Sequence, residues 1–316
     1  MISCSAGKTS VVRDILSRSF VYYSCTTLSS QSSIAAKFLS TFSIMSKSFG
    51  GSLEATAKHR SQYPESRTVL VTGATAGIGL AVANHLLKSD KQHLLILTGR
   101  QSDVLERFKS QFPDRVLTSK GDMSDLTYVK SILQNVDLGG KLDGLVLNHG
   151  TLGECQRIGD VEAEDWDRTF TINVTSLVVL TRAALPLLRP AKGKIVITSS
   201  GAATGAYSSW GAYGATKAAV NHLAMTLTSE EPDVTSISIR PGVVDTAMQG
   251  DIRDKYLKNM DPKDQQKFVS AKRDGKLLPP EKPGHVIAEL VIGAPHELSG
   301  QFLSWDDPKL ETFQSE

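Results

Sequence analysis

From Thr68 onward the chain alternates short apolar runs with longer amphipathic segments. Runs at 68–72, 93–98, 115–120, 143–148, 194–200, 235–240 and 300–305 have strand length and are rich in β-branched residues or leucine. The segments between them, near 78–88, 102–112, 125–135, 164–188, 211–230 and 284–293, have the spacing of helices. Strands that are apolar on both faces need cover on both faces. This alternation therefore predicts an α/β fold, a doubly wound parallel sheet of about seven strands. The ligand crevice of such a sheet lies beyond the carboxyl ends of its strands. A charged insertion at 245–283, with a proline pair at 279 and 280, is expected to cover that crevice as a substrate lid.

The first 66 residues break the pattern. Residues 1–50 hold fourteen serines, five basic residues and a single acidic one, Asp14. That bias fits an organellar transit peptide or a disordered extension, and Met45 offers an alternative start. The expected division is an extension over 1–66, one folded domain over 67–310 and a tail over 311–316. The expected location is cytoplasmic, or mitochondrial if residues 1–45 are a presequence.

Composition narrows the partners. Thirty-five basic against 33 acidic residues leave a net charge of +2, too little to attract nucleic acid or an anionic membrane. Cys4, Cys25 and Cys155 fit neither a disulfide framework nor a zinc site, and no metal is expected. The apolar run Val174–Leu188 is shorter than a membrane span and contains Arg182. A small molecule is the expected partner.

Candidate chemistry sits just after the predicted strands. The first runs into TGATAGIG, residues 72–79, where Gly73, Gly77 and Gly79 allow a tight turn and close approach of a pyrophosphate to a helix N-terminus. Arg100 follows the second strand, where a carboxylate would bind a ribose 2'-hydroxyl and an arginine instead pairs with a 2'-phosphate. Asp122, after the third, is placed either to accept from an adenine amine or to cap the next helix. Tyr213 and Lys217 are four apart on one helical face. A phenol titrates near pH ~10, so bringing it close to neutrality takes about 4 kcal/mol, which a lysine and a nicotinamide cation together are able to supply. Ser200 ends a predicted strand, and Asn173 falls inside the predicted helix 164–188, where its side chain or a trapped water is able to interrupt the ladder. Tyr207 and Trp210 precede the tyrosine and suit an aromatic substrate wall.

Together TGATAGIG, LNHG (147–150), Asn173, Ser200, YGATK (213–217) and RPGVVDT (240–246) resemble the short-chain dehydrogenase/reductase family, over essentially all of 68–305. The resemblance implies a Rossmann-type fold binding NADP(H). It makes Tyr213 the general acid, with Lys217 on the nicotinamide ribose, Ser200 on the carbonyl oxygen and Asn173 holding a relay water. Gly73, Thr75, Gly77, Ile78, Gly79, Arg100, Asp122, Asn148, Gly150, Pro241, Val243 and Thr246 would line the cofactor, Val243 and Thr246 at its carboxamide. SSWGAYGATKAAVNHLAMTL, PGVVDTAMQ and GQFLSWDDP look like the fungal benzil reductases, relatives of sepiapterin reductase that reduce diketones with NADPH. The implied activity is NADPH-dependent reduction of a ketone or diketone to a secondary alcohol. A secondary-alcohol dehydrogenase using NAD(P) and a non-catalytic nucleotide-binding regulator are the alternatives. Family members usually dimerise through the two long helices, so a homodimer is expected, with a monomer as the alternative. Three positions depart from the family. Ala76 stands where NADP-preferring members are often basic, Ser304 where sepiapterin reductases carry a pterin-anchoring aspartate, and His149 where the family usually has alanine.

Overall fold

The computed structural model describes residues 53–134 and 136–314. The presequence question and the alternative start at Met45 lie outside these residues.

Seven parallel strands form one sheet in the order β3-β2-β1-β4-β5-β6-β7, with β1 Thr68–Val71, β2 Leu94–Gly99, β3 Val116–Lys120, β4 Gly144–Leu147, β5 Lys194–Thr198, β6 Thr235–Arg240 and β7 Phe302–Ser304. The expected strands are all present, several of them trimmed at the ends. Strand order reverses at β1, which pairs with β2 on one side and β4 on the other. A crevice opens where connections leave in opposite directions from such a point.

Successive side chains of a strand point to opposite faces, so each strand feeds two cores. Val69 and Val71 join Val82, Leu86, Ile287 and Val291 on one face, from helices α2 (Gly77–Lys88) and α10 (Glu281–Gly293). Leu70, Leu145 and Leu147 join Leu177, Leu180 and Val220 on the other, from α6 (Ser176–Leu188) and α7 (Gly211–Glu230). Helices α3 (Ser102–Gln111) and α4 (Leu126–Ser131) complete the two layers.

Several expectations are refined. Part of the segment taken as an extension up to residue 66 is ordered helix, α1 (Leu53–Gln62). Arg60 anchors it with 3.0 Å to Asp143 Oδ2 and 2.9 Å to Thr68 Oγ1, contacts no local pattern announces. The helix read over 164–188 is broken around Asn173, where an interruption was anticipated, into α5 (Ala163–Phe170), a π turn over Thr171–Thr175, and α6. The whole helical run Ala163–Ala191 reaches the length and hydropathy of a membrane span, longer than the apolar run suggested, but Leu177, Leu180 and Leu188 are core residues of the sheet layer. The insertion 245–283 contains two helices, α8 (Ala247–Asp251) and α9 (Pro262–Arg273). Part of the segment read as a tail over 311–316 is docked, since Phe313 packs on the core beside the buried Leu310.

Candidate active site

Each strand end delivers one piece of the crevice. Beyond β1, Gly73 has φ +63° and Gly77 φ +53°, left-handed values that disfavour a side chain. A Cβ at Gly79 would lie 2.2 Å from the carbonyl oxygen of Gly73, so the turn closes on itself only without one. Helix α2 starts there with no side chain capping it, and its first N–H groups are left for an anion. This bare cradle fits a dinucleotide pyrophosphate. Thr75 packs its methyl on Gly99 at the end of β2, and Thr246 reaches over Gly77 from the opposite side.

Arg100 is exposed just past β2, and its charge helps to hold the Asp122 carboxyl below the usual range. The larger cause there is the Ser124 backbone N–H, 2.8 Å from Asp122 Oδ1. Asp122 thus stabilises a turn and does not cap α4. That role falls to Asp125, which accepts from Thr127 and Tyr128 N–H groups.

Past β4, Asn148 holds the glycine turn in place. Its Nδ2 donates to the Thr72 and Gly73 carbonyls at 3.3 and 3.4 Å, and its Oδ1 accepts from Thr198 Oγ1 at 3.1 Å. His149 sits beneath, with Nδ1 2.8 Å from Thr72 Oγ1 and Nε2 2.8 Å from Ser176 Oγ. Burial, followed by the Lys217 charge, pushes its pKa down to about 3, so the ring is neutral. The histidine that replaces the usual alanine therefore ties the cofactor turn to the helix that follows the π turn.

That π turn carries Asn173, which is buried. Its Oδ1 accepts from Thr151 N at 2.8 Å, and its Nδ2 donates to Thr151 O at 2.8 Å and Thr216 Oγ1 at 3.1 Å. Gly150 lies against it: a Cβ there would be 3.3 Å from Asn173 Oδ1 and 3.6 Å from Lys217 Nζ. Asn173 and Lys217 are thus neighbours across that glycine, although forty-four positions separate them in sequence.

Lys217 and Tyr213 project from the first turns of α7 and are both buried. Lys217 Nζ donates to Thr198 O at 2.8 Å and lies 5.7 Å from the Tyr213 ring centroid. Burial lowers the lysine to about 8. Burial raises the tyrosine to about 12, opposed by a hydrogen bond with Ser200. The protein groups by themselves thus hold the phenol protonated; the expected pull of Lys217 toward neutrality does not outweigh desolvation.

Above these groups is a cavity of about 120 Å³. Ser200 and Tyr213 line it together with Ile78, Pro241, Val243 and Thr246, and the predicted Tyr207 and Trp210 form part of its wall. The lid adds Lys267 and Phe268, as well as Met248 and Ile252 from α8 and the π turn after it (Ile252–Tyr256). Lys267, Phe268, Arg240 and the clamps Thr151, Thr198 and Thr216 were not singled out from the sequence. Arg240 and Thr216 do lie within the quoted motifs RPGVVDT and YGATK, and Lys267 and Phe268 lie in the segment read as a lid. Ser304 turns away to Asp306 at 2.6 Å. A larger opening of about 530 Å³, between α1 and the starts of β2 and β3, contains none of the Asn-Ser-Tyr-Lys set.

The chain is similar to known proteins over most of its length. The family model for short chain dehydrogenases matches residues 67–257. The benzil reductase ((S)-benzoin forming) IRC24 of Saccharomyces cerevisiae is 36% identical over 260 residues, 78% of this chain and 99% of its own. The uncharacterized oxidoreductase YIR035C of the same yeast is 36% identical over 250 residues, 78% of this chain and 98% of its own. Its crystal structure superposes with a TM-score of 0.76, covering 79% of this chain and all of the yeast protein. An uncharacterized oxidoreductase of Schizosaccharomyces pombe is 38% identical over 240 residues, 76% of this chain and 96% of its own.

Proposed function

We propose, for a chain that belongs to the short-chain dehydrogenase family, that it reduces a ketone or diketone carbonyl to a secondary alcohol with NADPH. The observation that carries this reading is the meeting of Ser200 and Tyr213 on the wall of an aromatic cavity, with Lys217 and Asn173 buried directly behind them. The similarity to a benzil reductase supports a carbonyl substrate, and Arg100 past β2 supports the phosphorylated cofactor.

The residues divide the work as follows. Bound NADPH supplies the hydride. The turn from Gly73 to Gly79 and the start of α2 would hold the pyrophosphate, Arg100 the 2'-phosphate, and Asp122, Asn148 and Gly150 the adenosine side. Pro241, Val243 and Thr246 would meet the nicotinamide end. Tyr213 holds a proton through neutral pH, as a general acid for reduction must, and gives it to the carbonyl oxygen. Ser200, hydrogen-bonded to the phenol, offers that oxygen a second donor where negative charge develops. Lys217 spends one N–H on Thr198 and keeps two for ribose hydroxyls and the proton path, and its charge favours the phenolate left behind. Asn173, clamped at both ends of its amide, fixes the backbone around that path.

NADPH oxidation in the presence of benzil and other diketones tests the reading. Tyr213→Phe should lose about 10²- to 10⁴-fold in kcat. Unchanged turnover in that variant would sink it.

A further inference from the structure

We propose that the carbonyl substrate also carries an anionic group, a carboxylate in the simplest case, and that Lys267 of the lid recognises it. This rests on the carbonyl-reductase reading of the same cavity and names its substrate class. The cavity wall contains two cationic side chains, Lys267 and Arg240, and no carboxylate. Arg240 lies against Gly201, the residue after Ser200: its Nε is 3.0 Å from where a Cβ on Gly201 would sit.

Lys267 is held at the rim rather than trailing into water. Its Nζ is 4.6 Å from the Tyr207 ring centroid and 5.9 Å from that of Phe268, and it donates to the Tyr207 hydroxyl. Those two rings stand with Trp210 in one cluster, 5.0 to 5.8 Å between centroids. Lys267 is exposed, and the Tyr207 hydroxyl and neighbouring rings position its ammonium at the cavity mouth, where an incoming anion is able to meet it. No carboxylate among the described residues pairs with Lys267 or Arg240. The one acid on its own helix, Asp264, feels the Lys267 charge but makes its hydrogen bonds to Ser208, whose N–H and hydroxyl reach it at 2.9 and 2.7 Å. The wall therefore offers a ring-bearing substrate an apolar slot and two positive charges. A diketone without charge would use the slot alone.

The test uses the full chain with NADPH and three probes that share a phenyl ketone: benzoylformate, its methyl ester and benzil. Wild-type protein should prefer the acid to the ester. Lys267→Met keeps the length and apolar stem and should lower kcat/KM for benzoylformate about tenfold or more, as expected for a lost charged hydrogen bond, while the ester changes less than about twofold. Lys267→Arg should retain the preference for the acid. An equal loss on acid and ester in Lys267→Met, or ester and benzil reduced with the acid refused by wild type, overturns the proposal and leaves carbonyl reduction standing. Failure of every carbonyl overturns carbonyl reduction itself. The charge preference is then read without turnover, from quenching of tryptophan fluorescence by benzoate and by benzyl alcohol; equal affinity for the two in wild type overturns it.

Discussion

Lys217 Nζ donates to the backbone carbonyl oxygen of Thr198, 2.8 Å away and nineteen residues back along the chain. That bond orients an ammonium whose burial is unfavourable enough to lower its pKa from 10.5 to about 8. Below pH 8 both folded and unfolded chains carry the proton and the full cost is present; it is relieved as pH rises from 8 toward 10.5. At ~1.4 kcal/mol per unit the cost is about 3 kcal/mol, from which the stranded Thr198 carbonyl takes back ~1. Lys217→Met is therefore expected to abolish reduction yet raise stability at pH 7 by about 1–2 kcal/mol. Urea unfolding measures it, and a less stable variant contradicts it.

His149 makes stability fall on acidification. Its pKa drops from 6.5 unfolded to about 3 folded, so the unfolded chain binds the extra proton first. The stabilisation is complete above pH 6.5 and is lost as pH falls toward 3, by a few kcal/mol in all. His93, lowered to about 4 chiefly by burial, acts in the same sense. His149→Gln, which keeps one donor and one acceptor, should flatten the decline in urea midpoint between pH 7 and 5. A slope equal to wild type would assign the decline to other groups.

Arg100 should govern cofactor choice. Removing a guanidinium that faces a phosphate removes a charged hydrogen bond, worth roughly 1.5–3 kcal/mol. Arg100→Ala is expected to raise KM for NADPH by about tenfold or more and leave KM for NADH within about twofold. Parallel kinetics with both cofactors decide it; equal effects on the two would mean that Arg100 does not face the 2'-position.

The outer faces of α6 and α7 each expose a large apolar residue, Val178 at 45% and Met225 at 56%. Those are the two long helices expected to pair between protomers. Met225→Arg should convert a dimer to a monomer in light scattering after size exclusion. A wild-type monomer at micromolar concentration would exclude this interface.

The fold was legible because its signals are local. Strands such as Val69-Leu70-Val71 are apolar on both faces, and each is followed by a segment of helical period, so a parallel sheet covered on both faces follows from pattern alone. Ser200, Tyr213 and Lys217 were legible only as a set: a strand end and an i, i+4 pair gained meaning beside Asn173 and the glycine turn, and their roles came from the family resemblance. Helix α1 was not legible, since its polar sequence acquires a reason to order only when Arg60 meets Asp143, eighty-three residues away.

What the sequence by itself determined is therefore the doubly wound sheet, the glycine turn and the identity of the chemical groups. The tertiary structure alone decided how those groups behave. Asn173 is gripped by Thr151 and Thr216, His149 spans Thr72 and Ser176, and Lys267 of the lid meets Tyr207, all through contacts distant in sequence. The charge state of Tyr213 is the sharpest case. Residue type sets a phenol's ordinary pKa, but burial is a property of the folded assembly, and here desolvation raises that phenol to about 12.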